Sequence, residues 1–236
     1  MRVVVTRPEH SARRTAGRLQ ALGHEPVLLP LTKAVHHPEI AEGALKQPHT
    51  GLAITSAEAV RVLALLGGKL TPHLGEAVYA VGEATAKAVG ESGFRYIRTG
   101  SGTGAGLAEL VASDAPQFAA TLLYLAGKPR SPKFEEGLRA RNLSFATAEI
   151  YEMTPIAYDD GAIRDTVVDP PADAVLLYSR ESARLFSDLV APHAPALAAM
   201  RFFCLSANVA EAVRTDFHRN IKIADHPDEG GLFALL

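Results

Sequence analysis

The feature that most constrains this fold is a pattern of apolar strand, small polar turn and alanine-rich helix that occurs twice in the same order. "VYAVGEATAKAV" begins at Val78, and "FFCLSANVAEAV" begins at Phe202. "GLAITSAEAVRVL", from Gly51, matches "AVLLYSRESARLF", from Ala174, at nearly the same offset. A further pair follows at a similar offset in "VVVTRPE" and "LLYLAGKPR". Matches that agree in order and offset predict an internal duplication.

Short and almost wholly apolar strands alternate with amphipathic helices along the chain. Such strands are typical of parallel sheets that are covered by helices on both faces, so the sequence predicts an α/β fold. At 236 residues, the chain is long enough for two domains of this kind. Hydrophobic residues make up 47% of it, which excludes a disordered chain. We therefore expect a two-domain α/β protein with parallel sheets.

The charges favour no nucleic acid or membrane partner. Basic residues number 24 and acidic ones 26, so no net field attracts nucleic acid or an anionic bilayer. The apolar runs are too short to span a bilayer. The first residues lack the long apolar segment of a secretion signal, so we expect a cytoplasmic protein. Cys204 lies in the apolar run "RFFCL", which predicts a buried thiol.

Small polar residues follow several predicted strands, at the points where helices begin. In open α/β sheets, ligands bind outside the carboxyl ends of the strands, where helix N-termini present unpaired N–H groups. Ser56 and Thr85 occupy such turns in the first copy, and Ser179 and Asn208 in the second. The same residue types are common helix caps, so capping alone is the alternative interpretation. The repeats therefore mark candidate rims of a binding site.

Three further patterns favour no additional site. "TGSGTGAGLAEL", from Thr99, has neither the spacing of a dinucleotide fingerprint nor the Gly-Lys-Ser/Thr ending of a P-loop, so we interpret it as a flexible loop with Thr103 near the start of a helix. The nine histidines form no i, i+4 pair on a predicted helix, and we expect no metal site. "DHPDEGG", from Asp225, is interpreted as a surface turn.

The segments "VVVTRPE", "ITSAEAV", "AVGEATAKAV", "YLAGKPR", "EIYEMTP" and "LLYSRESARLF", in this order, resemble those of uroporphyrinogen-III synthases. The resemblance covers nearly the full chain. It implies two Rossmann-like α/β domains, the second inserted into the first and joined to it by a two-stranded hinge. Residues 1–31 and 156–236 would form the first domain, and residues 32–155 the second. "VLLPLTKAV" and "AEIYEMTPIAY" fit the paired hinge strands, because proline ends strand pairing.

The resemblance also implies a reaction. Family members convert the linear tetrapyrrole hydroxymethylbilane into uroporphyrinogen III, with loss of water and inversion of the terminal pyrrole ring. Holding the two ends of a flexible substrate in one reactive arrangement is an entropic form of catalysis. The reaction uses no organic cofactor and no metal, so we expect neither here. We expect a monomeric lyase that closes its two domains on the substrate.

Tyr151, in "EIYEMTP", is the one catalytic candidate that the resemblance identifies. A phenol is protonated at neutral pH, so it can donate a hydrogen bond or a proton to the departing hydroxyl. A packed strand tyrosine without a role in the reaction is the alternative.

The substrate is a polycarboxylate, and the resemblance assigns its binding to N–H donors, hydroxyls and cations in the turns after the strands. These residues are Thr6, Arg7, Thr55, Ser56, Ala57, Gly82, Ala84, Thr85, Gly127, Lys128, Arg130, Ser179, Arg180, Ser182, Ser206, Ala207 and Asn208. Exposed loop cations are often only solvated, which is the alternative for each of them. Many family members have Gly-Pro-Thr-Thr at the last turn, where this chain has Ser206-Ala207-Asn208-Val209. Backbone contacts are therefore expected there, rather than hydroxyl contacts.

Two other functions stay open. A two-domain small-ligand binding protein also closes α/β lobes on its ligand, but it normally carries a secretion signal. A nucleotide-sugar transferase-like protein needs a phosphate-binding loop, which the sequence does not show.

Overall fold

The computed structural model describes residues 1–114 and 121–236 of the chain. In chain order, strands β1 to β11 are Arg2–Val5, Glu25–Leu28, Thr32–His36, Gly51–Ile54, Ala77–Ala80, Tyr96–Thr99, Leu122–Lys128, Phe145–Pro155, Ala174–Leu177, Arg201–Cys204 and Ile221–Ile223. Helices α1 to α10 are Glu9–Ala21, Pro38–Leu45, Ala57–Ala64, Glu83–Glu91, Gly104–Asp114, Lys133–Arg139, Asp160–Val167, Arg180–Val190, Ala207–Ala210 and Glu229–Phe233. Short 3₁₀ helices span Gly67–His73, Ala191–His193 and Thr215–Asn220.

The described residues fall into two compact units. Unit 1 comprises Met1–Lys33 and Thr154–Leu236, and unit 2 comprises Ala34–Met153. Over the described ranges, the sheet of unit 1 has the strand order β11-β10-β9-β1-β2, and the other sheet has the order β3-β8-β7-β4-β5-β6. The chain passes between the units within the neighbouring strands β3 and β8.

The pairing of strands within both sheets is predominantly parallel. In unit 1, β1 pairs in parallel with β2 and β9, and β10 pairs in parallel with β9 and β11. In unit 2, β4 pairs in parallel with β5 and β7, β5 with β6, and β7 with β8. Bonds from Ile156 N–H to Leu31 and from His37 N–H to Ile150 show that β3 and β8 run in opposite directions. The predicted fold class, with two parallel α/β sheets and two linking strands, is confirmed.

The sequence repeat is visible as one strand order that is used twice. The repeat equates β1, β2, β9, β10 and β11 with β7, β8, β4, β5 and β6, respectively. With this substitution, the order of unit 1 becomes β6-β5-β4-β7-β8, which is the order found in unit 2 beside β3. Each unit therefore combines the β–α–β segment of one copy with the later strands of the other copy.

Local sequence signals explain where the helices end and what they bury. In α1, Ala12, Ala16 and Leu19 are buried and face the sheet. Gly23 follows this helix with φ +79°, a left-handed backbone conformation that glycine adopts without strain. In unit 1, the ring of Phe202 packs between those of Phe186 and Phe217, at centroid distances of 5.9 and 4.7 Å.

The thiol of Cys204 is buried in unit 1, as predicted, and burial raises its pKa to about 12. This thiol is therefore un-ionised at neutral pH and is not a nucleophile. Within the part of the chain that the structure describes, no helix combines the length and apolar character needed to cross a membrane.

Candidate functional site

A cavity of about 260 Å³ lies at the carboxyl edge of the unit 2 sheet. It forms where β4 and β7 end and where the last part of β8 passes beside them. Five of its lining residues are among those that the sequence predicted, namely Thr55, Ser56, Gly127, Arg130 and Tyr151. The sequence did not predict the others, which are Val81, Gly104, Tyr124, Pro129, Ser131 and Phe134.

The ring of Tyr151 reaches this cavity across the backbone of the neighbouring strand. Tyr151 lies opposite Gly127 in the pairing of β8 with β7, just after a register shift at Ala126. The residue is only 8% exposed, and its hydroxyl lies over Gly127. Burial raises the pKa of Tyr151, and a hydrogen bond with Ser56 opposes that rise. The phenol is therefore protonated throughout the neutral range.

Ser56 links the helix α3 to this phenol. Its hydroxyl caps α3 by accepting a hydrogen bond from the N–H of Glu58, at 3.1 Å. The same hydroxyl forms a hydrogen bond with the phenol of Tyr151, and either of the two groups can be the donor. Ser56 therefore both caps α3 and lines the cavity.

A second pair of hydroxyls lies on the wall of the cavity. The hydroxyls of Thr55 and Tyr124 are 2.8 Å apart. Tyr124 is 1% exposed, and its ring packs edge-on against Phe134, at a centroid distance of 4.9 Å. The apolar run "LLYLAG" gave no signal that Tyr124 would turn its hydroxyl towards the site. This packing holds Thr55 at the rim.

Arg130 faces the cavity, but carboxylates of unit 2 already bind its guanidinium. Its Nε and Nη2 donate to both oxygens of Glu135, at 3.3 and 3.1 Å, and its Nη1 donates to Glu149, at 2.6 Å. Burial alone would raise the pKa of Glu135, but bonds from Arg130 and Thr147 outweigh it and hold that pKa below its usual range. Arg130 therefore organises the floor of the cavity.

Lys128 offers the freer cation at this edge. Its side chain is 58% exposed, and its ammonium lies 3.9 Å from Glu152, a loose ion pair. Gly82 caps the N-terminus of α4 beside Gly102, with Ala84 exposed and Thr85 buried in the first turn. Ala57 is the first residue of α3. These residues lie at the predicted strand ends, although they do not line the cavity.

Unit 1 gathers several predicted residues at the carboxyl edge of its own sheet. Ser179 and Ser182 form a reciprocal capping box at the start of α8. The guanidinium of Arg180 donates to the carbonyl and side-chain oxygens of Asn208, at 2.9 and 3.0 Å, and contacts Glu211 at 3.2 Å. Arg180 therefore joins the starts of α8 and α9 and remains half-exposed.

The last turn of unit 1 keeps its backbone donors exposed. Ser206 precedes α9 without a side-chain capping bond, and Ala207 and Asn208 are exposed in its first turn. This agrees with the expectation of backbone contacts there, which stays a prediction.

The first predicted turn of unit 1 is occupied by a network that the sequence did not reveal. Thr6 is buried and donates to the carbonyl of Leu176, at 2.9 Å. Arg7 stacks over the ring of Tyr178, at 4.5 Å, and donates to Glu229, at 3.0 Å. Arg7 is thus engaged within its own unit.

Glu229 is the centre of that network. Its carboxylate also accepts hydrogen bonds from Thr15, Arg18 and Tyr178. Burial alone would raise the pKa of Glu229, but these bonds and the charges of Arg7 and Arg18 hold it below its ordinary value. The interpretation of "DHPDEGG" as a surface turn was wrong at this point, because Glu229 begins α10 and its side chain is only 15% exposed.

Among the described residues, one group has the composition of a metal site. His49, His73 and Glu76 place their potential ligand atoms within 4.8 Å of one another. This group precedes β4 and β5, at the amino edge of the unit 2 sheet, and is not part of the cavity.

Two α/β units with one strand order, and a hydroxyl-lined cavity at a sheet edge, define a duplicated α/β protein with a candidate site for a small molecule. The family model for "Uroporphyrinogen-III synthase HemD" matches residues 13–234, and the chain belongs to this family. The resemblance seen in the sequence is therefore confirmed. Membership places the chain among the enzymes of porphyrin and heme biosynthesis.

Solved structures agree with this assignment in fold. The uroporphyrinogen-III synthetase of Helicobacter pylori 26695 superposes with a TM-score of 0.69 at 18% identity, covering 100% of this chain and 98% of that one. A mutant uroporphyrinogen III synthase of the extremely thermophilic bacterium Thermus thermophilus gives a TM-score of 0.54 at 19% identity, covering 99% and 96%. No curated protein sequence matches the chain significantly.

Proposed function

We propose that the protein cyclises hydroxymethylbilane to uroporphyrinogen III, acting as a carbon–oxygen lyase. The terminal hydroxymethyl group loses its hydroxyl, which leaves as water once it has accepted a proton. The pyrrole at the other end then attacks through its substituted carbon. The spiro intermediate that forms rearranges, so that this ring enters the macrocycle inverted. Membership of the synthase family supports this reaction.

The observation that carries the assignment of the site is the position of the Tyr151 hydroxyl. It lines the cavity beside Ser56, and it is protonated because burial raises the pKa of Tyr151. We propose that Tyr151 donates to the departing hydroxyl. Such a donor favours loss of water without bearing a charge in the resting enzyme.

Positioning supplies the larger part of the proposed catalysis. The cavity has rigid walls, because Tyr124 and Phe134 pack edge-on and Arg130 is tied to Glu135 and Glu149. Restricting a flexible substrate to one reactive arrangement can lower a barrier by about 7–11 kcal/mol in favourable cases. Loss of Tyr151 would therefore slow the reaction, but the type III isomer would still be the main product.

The carboxylates of the substrate must be bound by cations and hydrogen-bond donors that are not fully engaged within the protein. In unit 2 we propose Lys128, the Thr55 hydroxyl and the N-termini of α3 and α4, whose N–H groups favour anions. In unit 1 we propose Arg180, whose side chain is 52% exposed, and the exposed turn at Ser206 to Asn208, because the hydroxyls of Ser179 and Ser182 already donate within the capping box. Arg7 and Arg130 are bound by carboxylates of their own units and are only 24% and 23% exposed, so we propose that they shape their turns and do not bind substrate directly.

We further propose that units 1 and 2 are the two expected domains and that the enzyme is a cytoplasmic monomer. Light scattering coupled to size-exclusion chromatography checks the monomer. Limited proteolysis checks the domains, because cleavage within β3 and β8 is expected to release unit 2 as one resistant fragment. Fractionation of the source cells checks the location.

Product analysis tests the activity. Freshly prepared hydroxymethylbilane is incubated with the protein, with heat-denatured protein and with buffer, and the oxidised products are separated by chromatography. We expect the type III isomer only with native protein. Type I isomer alone, at the buffer rate, would refute the proposal. Tight binding of hydroxymethylbilane without turnover would instead favour the small-ligand binding protein.

A further inference from the structure

The segments before β4 and β5 form a compact cluster away from the cavity. β4 and β5 are parallel neighbours, so the residues that precede them lie side by side. His49 lies just before β4, Glu76 just before β5, and His73 ends the 3₁₀ helix Gly67–His73. The N–H of Glu76 bonds to the carbonyl of His73, at 3.0 Å, so one turn aims both side chains.

The carboxylate of Glu76 lies between two imidazoles. One oxygen is 2.8 Å from Nε2 of His49, and the other is 2.7 Å from Nδ1 of His73. The two rings stack at a centroid distance of 6.1 Å. The side chain of His49 is only 7% exposed, so water does not freely solvate it.

Both ring nitrogens of His49 face oxygen acceptors. Nδ1 lies 2.6 Å from the carbonyl of Gln47, which can only accept, so this nitrogen carries a hydrogen. A neutral imidazole has one N–H, and its Nε2 would then direct a lone pair at the carboxylate of Glu76. This nitrogen and the carboxylate oxygen therefore offer two ligand atoms to a cation that enters the cluster.

The surroundings match those of a metal ligand. Metal-bound histidines almost always donate their other N–H to a carbonyl or carboxylate, as His49 does to Gln47. Imidazole nitrogens and one carboxylate oxygen are a donor set that zinc accepts, with water as a fourth ligand. Ligand atoms around tetrahedral zinc lie about 3.3 Å apart, and side-chain movements of about 1.5 Å bring the cluster to that spacing.

We propose that His49, His73 and Glu76 bind a divalent cation, Zn²⁺ or one of similar ligand preference. The ion ties the segment before β4 to the turn before β5. β4 spans four residues, so its two ends are about 10 Å apart, and the ion lies outside the proposed reaction site. The site is structural, and its occupancy stabilises unit 2.

Titration of chelator-treated and dialysed protein with Zn²⁺ in a calorimeter tests the proposal. We expect one ion per chain in the wild type and a fall in affinity of about a hundredfold or more in His49→Ala, which removes a ligand. His10→Ala is the control, because His10 is an exposed residue of α1 outside the cluster. Absence of Zn²⁺ binding in the wild type, or equal binding in His49→Ala, would overturn the proposal.

Binding of Co²⁺ distinguishes the proposed site from isolated surface histidines, because the absorption of Co²⁺ depends on its coordination geometry. Co²⁺ bound by the wild type is expected to show the intense visible absorption of a four-coordinate ion, and His73→Ala is expected to lose it. Saturation with Zn²⁺ at about 100 times the dissociation constant is expected to raise the Tm of unit 2 by roughly 5–10 °C. An unchanged Tm in the wild type would overturn the proposed structural role of the ion.

Glu76→Gln keeps the proposal testable if the histidine variants fail to fold. The amide preserves the size of the side chain but is a far weaker zinc ligand, so we expect the folded variant to bind Zn²⁺ about 10–100 times more weakly. Equal affinity in Glu76→Gln would contradict the proposed ligand set. Cyclisation activity is expected to be unchanged by the chelator below the unfolding temperature. Failure of the metal-site proposal can therefore be distinguished from failure of the proposed activity.

Discussion

The aromatic ring of Tyr151 lies directly against the α-carbon of Gly127. A β-carbon at Gly127 would come within 2.1 Å of Cζ of Tyr151 and within 2.4 Å of its hydroxyl oxygen. The register of β7 against β8 shifts at this residue, which brings the two into opposition. A position without a side chain on one strand therefore sets where the phenol on the next strand can reach.

Gly127→Ala is expected to displace the Tyr151 ring and to lower kcat at least as much as removal of the hydroxyl alone. Overpacking of this kind destabilises a fold by about 1–3 kcal/mol. Steady-state kinetics and thermal unfolding measure the two effects. Gly43→Ala is the matched control, because no atom lies within 4 Å of the added carbon. In α2 it is expected to stabilise by about 0.5–1 kcal/mol and to leave kcat unchanged. Full activity in Gly127→Ala would show that Gly127 does not set the ring's position.

Tyr151→Phe is expected to lower kcat about tenfold, the equivalent of one hydrogen bond of about 1–1.5 kcal/mol. Type III isomer should still dominate, because the walls of the cavity remain in place. Chromatography of the products and initial rates measure both. Tyr96→Phe serves as control, since Tyr96 is 64% exposed. Complete loss of activity in a folded Tyr151→Phe protein would show that acid catalysis outweighs positioning.

Substitution by alanine is expected to affect stability at Arg130 and substrate binding at Lys128. Arg130→Ala leaves Glu135, which is buried, without its main partner, and should destabilise unit 2 by about 1–3 kcal/mol. Lys128→Ala should leave stability unchanged within about 0.5 kcal/mol, because its side chain is 58% exposed. It should raise KM instead. Chemical denaturation and steady-state kinetics separate the two effects. An unchanged KM in Lys128→Ala would remove this lysine from the substrate site.

Acid is expected to loosen unit 1 through Glu229. Its pKa in the folded protein lies below the ordinary 4.5, so the folded state binds this proton less readily than the unfolded chain. The resulting stability is complete above pH 4.5 and is lost as the pH falls through the lowered value. Glu229→Gln should be less stable than the wild type at neutral pH by about 1–3 kcal/mol and should show a shallower loss in acid.

Thermal unfolding of the wild type and of Glu229→Gln across this pH range measures the effect. Glu9→Gln is the control, since the side chain of Glu9 is 68% exposed. Parallel curves for wild type and Glu229→Gln would mean that other carboxylates cause the acid sensitivity.

The sequence predicted the architecture because its signals are local and repeated. Apolar strands followed by small turns, in two copies, were enough to predict parallel sheets, and the family resemblance added the two linking strands. The same signals put Ser56 and Ser179 at helix starts, where both act as caps. Periodicity and cap residues report on backbone structure, which is why these predictions agree with the structure.

The partners of the charged residues could not be predicted, because they depend on the register of neighbouring strands and on side-chain direction. Arg130 meets Glu149 because β7 and β8 are neighbours, with Glu149 opposite Ala126. Glu229 lies far along the chain from Arg7, and nothing in either segment indicates the other. His49 and Glu76 likewise meet only because β4 and β5 are adjacent.

The exchange of segments between the two copies also affects the order in which the protein folds during synthesis. Val3 of β1 pairs with Ala174 of β9, and a ribosome adding about 5–20 residues per second needs roughly 10–30 s to make the chain between them. All of unit 2 is made in that interval, before β9, and can fold before unit 1 is complete. Until β9 is made, one edge of β1 in the amino-terminal β–α–β segment has no partner strand. This edge can associate with other nascent chains.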